Sequence, residues 1–160
     1  MAPAGRDVRP TTDRVRESMF NALHSLDAVA GASVLDLFAG SGALGIEALS
    51  RGAAHATFVE RDARTRQLIE RNLATTGLSD RATVVARDAD SYLGGDPPPF
   101  DLALLDPPYA FAGWDGLLAR LRARTIVIET GRDLDLPAPW EVVRTKWYGS
   151  TLVVIAIHPE

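Results

Sequence analysis

The chain has 160 residues, 46% of them hydrophobic and 24% charged, with 17 Lys plus Arg against 21 Asp plus Glu for a net charge of -4. That length suits one domain with a single core, and the balance of residue types excludes disordered and low-complexity classes. The absence of cysteine excludes disulfide frameworks, thiolate metal sites and cysteine nucleophiles, while the acidic net charge gives no overall field to attract nucleic acid.

Residues 1–10 form an arm without an apolar stretch of the kind that begins a secretory signal. The balance of Arg6, Arg9, Arg14 and Arg16 against Asp7, Asp13 and Glu17 leaves this end slightly positive. Apolar runs such as Thr151 to Ile157 are strand-length, far short of the 18 or more residues of a membrane span. A cytoplasmic protein with no membrane attachment is the expectation.

From Thr11 to Leu26 the apolar residues Val15, Met19, Leu23 and Leu26 recur at helical spacing, and Thr12 or Asp13 can cap the start. Ser33 to Phe38 reads as a strand, followed by a Gly-rich turn and a helix from about Ala43 to Arg51 that Gly52 ends. Ala56 to Glu60 is a second strand, Ala63 to Thr75 a second crossover helix with Gly77 behind it, and Ala82 to Ala86 a third strand. Asp101 to Leu105 is a fourth strand, Trp114 to Leu121 a helix, and Thr125 to Glu129 a fifth strand. Trp140 to Trp147 and Thr151 to Ile157 are joined only by Tyr148, Gly149 and Ser150, too few residues for a crossover, so they predict an antiparallel hairpin. The alternation predicts an α/β fold: a doubly wound, mostly parallel sheet in one domain over 1–160, with a C-terminal antiparallel hairpin. Ligands of such sheets lie at the carboxyl ends of the strands.

Three motifs fall at those ends. Asp36-Leu37-Phe38-Ala39-Gly40-Ser41-Gly42-Ala43-Leu44-Gly45 follows a strand and opens a helix, with Gly40, Gly42 and Gly45 in the Gly-x-Gly-x-x-Gly spacing of nucleotide-binding turns. Glu60 ends the next strand, where a carboxylate can accept hydrogen bonds from ribose hydroxyls. NAD and S-adenosylmethionine both use this architecture. Asp36 favours S-adenosylmethionine, because a carboxylate attracts its cationic methionine end and repels a pyrophosphate; the other reading of Asp36 is a bond to the turn backbone. In Arg87-Asp88-Ala89, the Asp88 carboxylate can accept from an adenine amino group, cap a helix beginning at Ala89, or do both.

Asp106-Pro107-Pro108-Tyr109 closes the fourth strand. Two prolines fix φ and remove two N–H donors, leaving a stiff loop that offers only acceptors. Such a loop can hold both hydrogens of an exocyclic amino group and aim its nitrogen at a methyl donor, with Tyr109 stacked on the base. The alternative is a strand-ending turn in which Asp106 caps and Tyr109 packs. His24, His55 and His158 have no spacing that suits a metal or a catalytic base. Trp114, Trp140 and Trp147 have the character of core residues more than of stacking platforms, and Arg120, Arg122 and Arg124 read as a solvated run. Glu129 ends the fifth strand and could line the pocket, on position alone.

The sequence resembles the bacterial 16S ribosomal RNA guanine-N2 methyltransferases of the RsmD type. The resemblance rests on Arg9-Pro10-Thr11-Thr12-Asp13-Arg14-Val15-Arg16-Glu17, on Asp36 to Gly45 continued through Ile46-Glu47-Ala48-Leu49-Ser50-Arg51-Gly52-Ala53, on Asp106 to Tyr109, and more loosely on Tyr148-Gly149-Ser150-Thr151. It implies the Rossmann-like methyltransferase fold and methylation of a guanine amino group by Asp106, Pro107, Pro108 and Tyr109. It further implies an S-adenosylmethionine site made by Asp36, Gly40, Gly42, Glu60 and Asp88, with Ala39, Ser41, Arg61 and Ala89 beside them and Thr11 and Thr12 near the methionine end. Arg6, Arg9, Arg14 and Tyr109 are the implied substrate contacts, and ribosomal RNA or a small-subunit assembly particle the implied partner of a monomer without metal. The departure from the family is at the start, where eight residues precede Arg9 in place of a basic β-hairpin. Readings of other classes are amino methylation of DNA or of a protein amide, a non-catalytic RNA-binding assembly factor, and an NAD-dependent oxidoreductase.

Overall fold

A computed structural model describes residues 13–159 of the chain. Among the described residues, five α-helices, α1 (Asp13–Ser25), α2 (Ala43–Ser50), α3 (Ala63–Thr76), α4 (Ala89–Gly94) and α5 (Trp114–Arg120), and one 3-10 turn (Ser79–Arg81) accompany seven strands. The strands are β1 (Ser33–Asp36), β2 (His55–Val59), β3 (Ala82–Val85), β4 (Phe100–Leu105), β5 (Ala123–Thr130), β6 (Glu141–Tyr148) and β7 (Thr151–Ile157), and they form one sheet in the order β3-β2-β1-β4-β5-β7-β6. The first five run parallel; β7 is antiparallel to both β5 and β6. The predicted hairpin therefore forms, but it folds back so that its second, apolar strand lies against β5 and its first becomes the outer edge. Burial explains the choice: Leu152 through Ala156 are all buried, whereas Glu141 through Trp147 are all exposed.

Alternation along the central strands sorts two cores. Val34, Phe58, Leu104, Val127, Val153 and Ile155 face the side covered by α1, α2 and α3, where Met19, Phe20, Leu23, Leu49 and Ile69 pack. Leu35, Val59, Leu105, Ile128 and Val154 face α4 and α5, with Leu93, Trp114, Leu117 and Leu118. Trp114 and Trp140 are buried as the sequence predicts, while Trp147 is 44% exposed on β6. The Arg run is tied down in part: Arg120 pairs with Asp90 at 2.5 Å and Arg122 with Asp96 at 2.9 Å. Among the described residues no helix is long and apolar enough to cross a membrane, and no group of three or more His, Asp or Glu is placed to hold a metal ion.

The order reverses between β1 and β4, so the crevice in which ligands of such sheets bind opens at their carboxyl ends. The Gly-rich turn leaves β1 there, and Asp106-Pro107-Pro108-Tyr109 leaves β4 beside it.

Candidate active site

The Gly-rich turn is built by backbone conformation. Gly40 and Gly42 have φ of 56° and 85°, left-handed values that cost a Cβ-bearing residue about 1 kcal/mol or more, and Gly42 is the N-cap of α2. Gly45 is required for a different reason. A Cβ there would sit 2.7 Å from Cζ of Phe58, still nearer Cε2, and 3.1 Å from Oδ2 of Asp36. Phe58 is fully buried, so its ring has no room to yield. Gly45→Ala is expected to cost about 2 kcal/mol through overpacking and to lower Tm by about 4–8 °C, read by thermal unfolding.

Several side chains hold this turn. Oδ2 of Asp36 accepts the Gly45 N–H at 3.0 Å, meeting one of the orphan donors of the first turn of α2. The Glu60 carboxylate bridges two other backbone donors, accepting from Gly40 N–H and Asp62 N–H, each at 3.1 Å. Asn72 of α3 donates to the Ser41 carbonyl at 3.0 Å. Ala39 N–H bonds the Val59 carbonyl, which ties the turn to β2. The backbone-bonding reading of Asp36 is thus realised, and Glu60 holds the turn in the structure described. Arg61 follows Glu60, and its carbonyl accepts from Arg66 at 2.7 Å. Asp88 takes the helix-capping role: its Oδ1 accepts the Ser91 N–H at 2.7 Å, so α4 starts at Ala89.

Asp36 is 1% exposed. Burial pushes its carboxyl from an ordinary 3.8 up to about 7; the Gly45 N–H opposes this, and the charges of Glu60 and Glu129 add to it. Glu129 is itself 1% exposed and lies two residues past Val127 on the same face of β5. Three carboxylates therefore gather where β1, β2 and β5 end. That electrostatics suits a cation with hydroxyl donors and opposes a pyrophosphate, so the residues present fit S-adenosylmethionine, with a sulfonium, an ammonium and a ribose, better than a dinucleotide.

The second loop is rigid. Pro107 is buried and the Phe111 N–H bonds the Pro108 carbonyl at 2.9 Å, closing a turn around Tyr109. Phe111 meets Phe38 edge-on at 5.5 Å between centroids and Trp114 at 5.0 Å, so one aromatic cluster links the Gly-rich turn to the Pro-Pro loop. The Tyr109 ring lies against the backbone of Gly131, where an added Cβ would come within 2.8 Å of Cδ1. Tyr109 remains 49% exposed, enough to offer a face to a planar ligand.

The crevice thus brings together Asp36, Ala39, Gly40, Ser41, Gly42 and Glu60 from the cofactor set with the loop of Asp106, Pro107, Pro108 and Tyr109. Asp88 and Ala89 sit past β3 at the same end of the sheet, and Arg14 is exposed in the first turn of α1. Arg6, Arg9, Thr11 and Thr12 lie outside the described residues. Sequence reasoning missed Asn72, Phe111 and Gly131, which support the site through tertiary contacts. Only the aromatic character of Phe111, two residues after Tyr109, gave any local signal.

The family described as Conserved hypothetical protein 95 matches residues 1–157. The ribosomal RNA small subunit methyltransferase D of Escherichia coli strain K12 is 47% identical over 107 residues, covering 67% of this chain and 52% of that protein, so the match spans about half of the relative's length. The protein of the same name from Haemophilus influenzae is 35% identical over 154 residues, covering 89% of this chain and 79% of its own. A solved structure, "Putative methyltransferase yhhF from Escherichia coli", superposes with a TM-score of 0.84 at 37% identity over 94% of this chain and 88% of that one. The chain belongs to the Conserved hypothetical protein 95 family, that of the ribosomal RNA small subunit methyltransferases D.

Proposed function

We propose that the chain is an S-adenosylmethionine-dependent methyltransferase acting on an exocyclic amino group, the N2 of a guanine in small-subunit ribosomal RNA. The observation that carries this reading is the pairing, across the β1/β4 reversal, of a carboxylate-rich glycine turn with an acceptor-only Pro-Pro loop. S-adenosylmethionine, when bound, supplies an electrophilic methyl group. The chain's own residues do the rest. Asp36 and Glu60 would favour the cationic and hydroxyl groups of the cofactor, Gly40 and Gly42 would let it approach the backbone, and Asp88 with Ala89 would hold its adenine. Asp106 and the Pro107 carbonyl accept the two amino hydrogens of a base turned out of its stack, and Tyr109 stacks on its ring. Asp106 also takes or relays the proton that the amino group releases. Membership of a family whose curated members are named for ribosomal RNA supports the acceptor assignment. The setting is cytoplasmic, the working unit a monomer of one domain, and the partner the RNA or its assembling particle.

The test supplies methyl-labelled S-adenosylmethionine and small-subunit particles lacking the modification, then identifies the labelled base by mass spectrometry. N2-methylguanine is the expected product; label in adenine, cytosine or a protein amide would replace the acceptor, and no transfer would remove the activity. In calorimetric titration S-adenosylhomocysteine should bind and NAD stay silent; the reverse result would overturn the cofactor assignment.

A further inference from the structure

A groove of about 410 Å³ runs between α1 and β6, lined by Arg14, Glu17, Ser18, Asn21 and Ser25 of the helix and by Arg144 of the strand. Lys146 lies two residues beyond Arg144. The two pair across the sheet with Val153 and Ile155, which belong to the core under α1, so Arg144 and Lys146 share the α1 side of β6. The Lys146 ammonium sits 5.1 Å above the Tyr148 ring, and the Tyr148 hydroxyl lies 2.6 Å from Ser18 Oγ, fastening helix to strand at one end. That end is the reactive one: Glu129 pairs with Val153 and Thr130 with Leu152, so the β6–β7 turn stands at the carboxyl end of β5, as the Asp106 loop does for β4.

Cations outnumber acids among the residues that line this groove. Elsewhere Arg16, Arg51, Arg120 and Arg122 are each paired with carboxylates. Here Arg14 and Arg144 line the groove with one acid, Glu17, and with Ser18 and Asn21, and Lys146 lies beyond Arg144 on the same side of β6. A protein of net charge -4 that holds a polyanion needs such a local concentration of cations, because phosphate neutralisation supplies much of the affinity. The groove is open and polar, which suits a backbone strand and not a small apolar ligand.

We propose that the α1/β6 groove seats the phosphodiester backbone of the RNA segment flanking the methylated base, with Arg14, Arg144 and Lys146 neutralising its phosphates. The assignment rests on the proposed function. It adds two contacts, Arg144 and Lys146, from the opposite end of the chain to the N-terminal arginines, and it runs the RNA strand along the α1 side of the β6 edge, with β5 and β7 between it and β4, where phosphate contacts fix register without reading sequence.

The test compares wild type with Arg144→Gln/Lys146→Gln for binding to a small-subunit ribosomal RNA fragment between about 50 and 200 mM salt. Losing two cations should flatten the slope of log K against log salt by about 1.4, which is about 25-fold weaker binding near 0.1 M. Affinity for S-adenosylhomocysteine should stay at the wild-type value, which reports an intact fold. Arg14→Gln, on the facing wall, should weaken RNA binding further in the same salt-dependent way. Wild-type RNA affinity and slope in the double variant, or a loss confined to duplex DNA, would overturn the groove while leaving the methylation reading intact. Failure of the wild-type protein itself to bind or methylate ribosomal RNA would overturn both.

Discussion

Asp106→Ala should lower kcat for methyl transfer by about 10³ or more, while the Kd for S-adenosylhomocysteine stays close to wild type. Its side chain is the only charged acceptor of the Asp106 to Tyr109 loop, and removing one positioned proton acceptor or electrostatic partner typically costs a factor of 10² to 10⁴. The loop should survive the change, because Pro107, the Phe111-to-Pro108 bond and the Phe38–Phe111–Trp114 cluster hold it. Asp106→Asn keeps an acceptor oxygen without the charge and should retain more activity than the alanine variant. Single-turnover kinetics with a separate ligand titration distinguish the steps. Near-wild-type turnover in Asp106→Ala would remove the residue from the mechanism.

Asp36→Asn should change the pH dependence of stability. With its carboxyl raised to about 7 in the fold, Asp36 is protonated in the native protein at pH values where the unfolded chain has already ionised it. Its stabilising contribution is therefore complete below about pH 4 and is lost as pH climbs through 7. The rise from 3.8 to about 7 bounds that loss at about 4 kcal/mol. Asparagine carries no proton to lose and keeps an oxygen for the Gly45 N–H. Urea midpoints of ligand-free wild type should accordingly fall relative to the asparagine variant between pH 4 and 7, and the variant should be the more stable of the two at pH 8. A constant difference across that range would show that Asp36 ionises at its ordinary value.

Features carried by short runs of sequence were legible in advance. The strand-turn-helix around Gly40 to Gly45, the Pro-Pro loop, the alternation of strands with crossover helices and the terminal hairpin are each set by neighbours within a few residues. Asp88 was legible as the cap of a helix beginning at Ala89, whereas Glu60 was legible only as a polar group at a strand end, because its bond to Gly40 N–H depends on how the chain turns after β2. Strand order was not legible: that β7 rather than β6 lies against β5 follows from which strand is apolar on both faces. The groove was hidden for the same reason, since Ser18 and Tyr148 are 130 residues apart. Arg144 and Lys146, alternating on one strand, mark a face without saying what it faces.

The sheet has two open edges, and each is closed to unwanted partners in its own way. At one side β3 is only four residues long, too short a template for another chain to extend. At the other, β6 is eight residues long and carries the exposed apolar side chains of Val142, Val143 and Trp147, features that invite strand-to-strand aggregation. The register shift between Val142 and Arg144 kinks it, and the like charges of Arg144 and Lys146 repel a second copy brought alongside. The cations that draw in a polyanion thereby keep the protein from polymerising through its own edge, so neutralising them carries a solubility penalty separate from any loss of substrate.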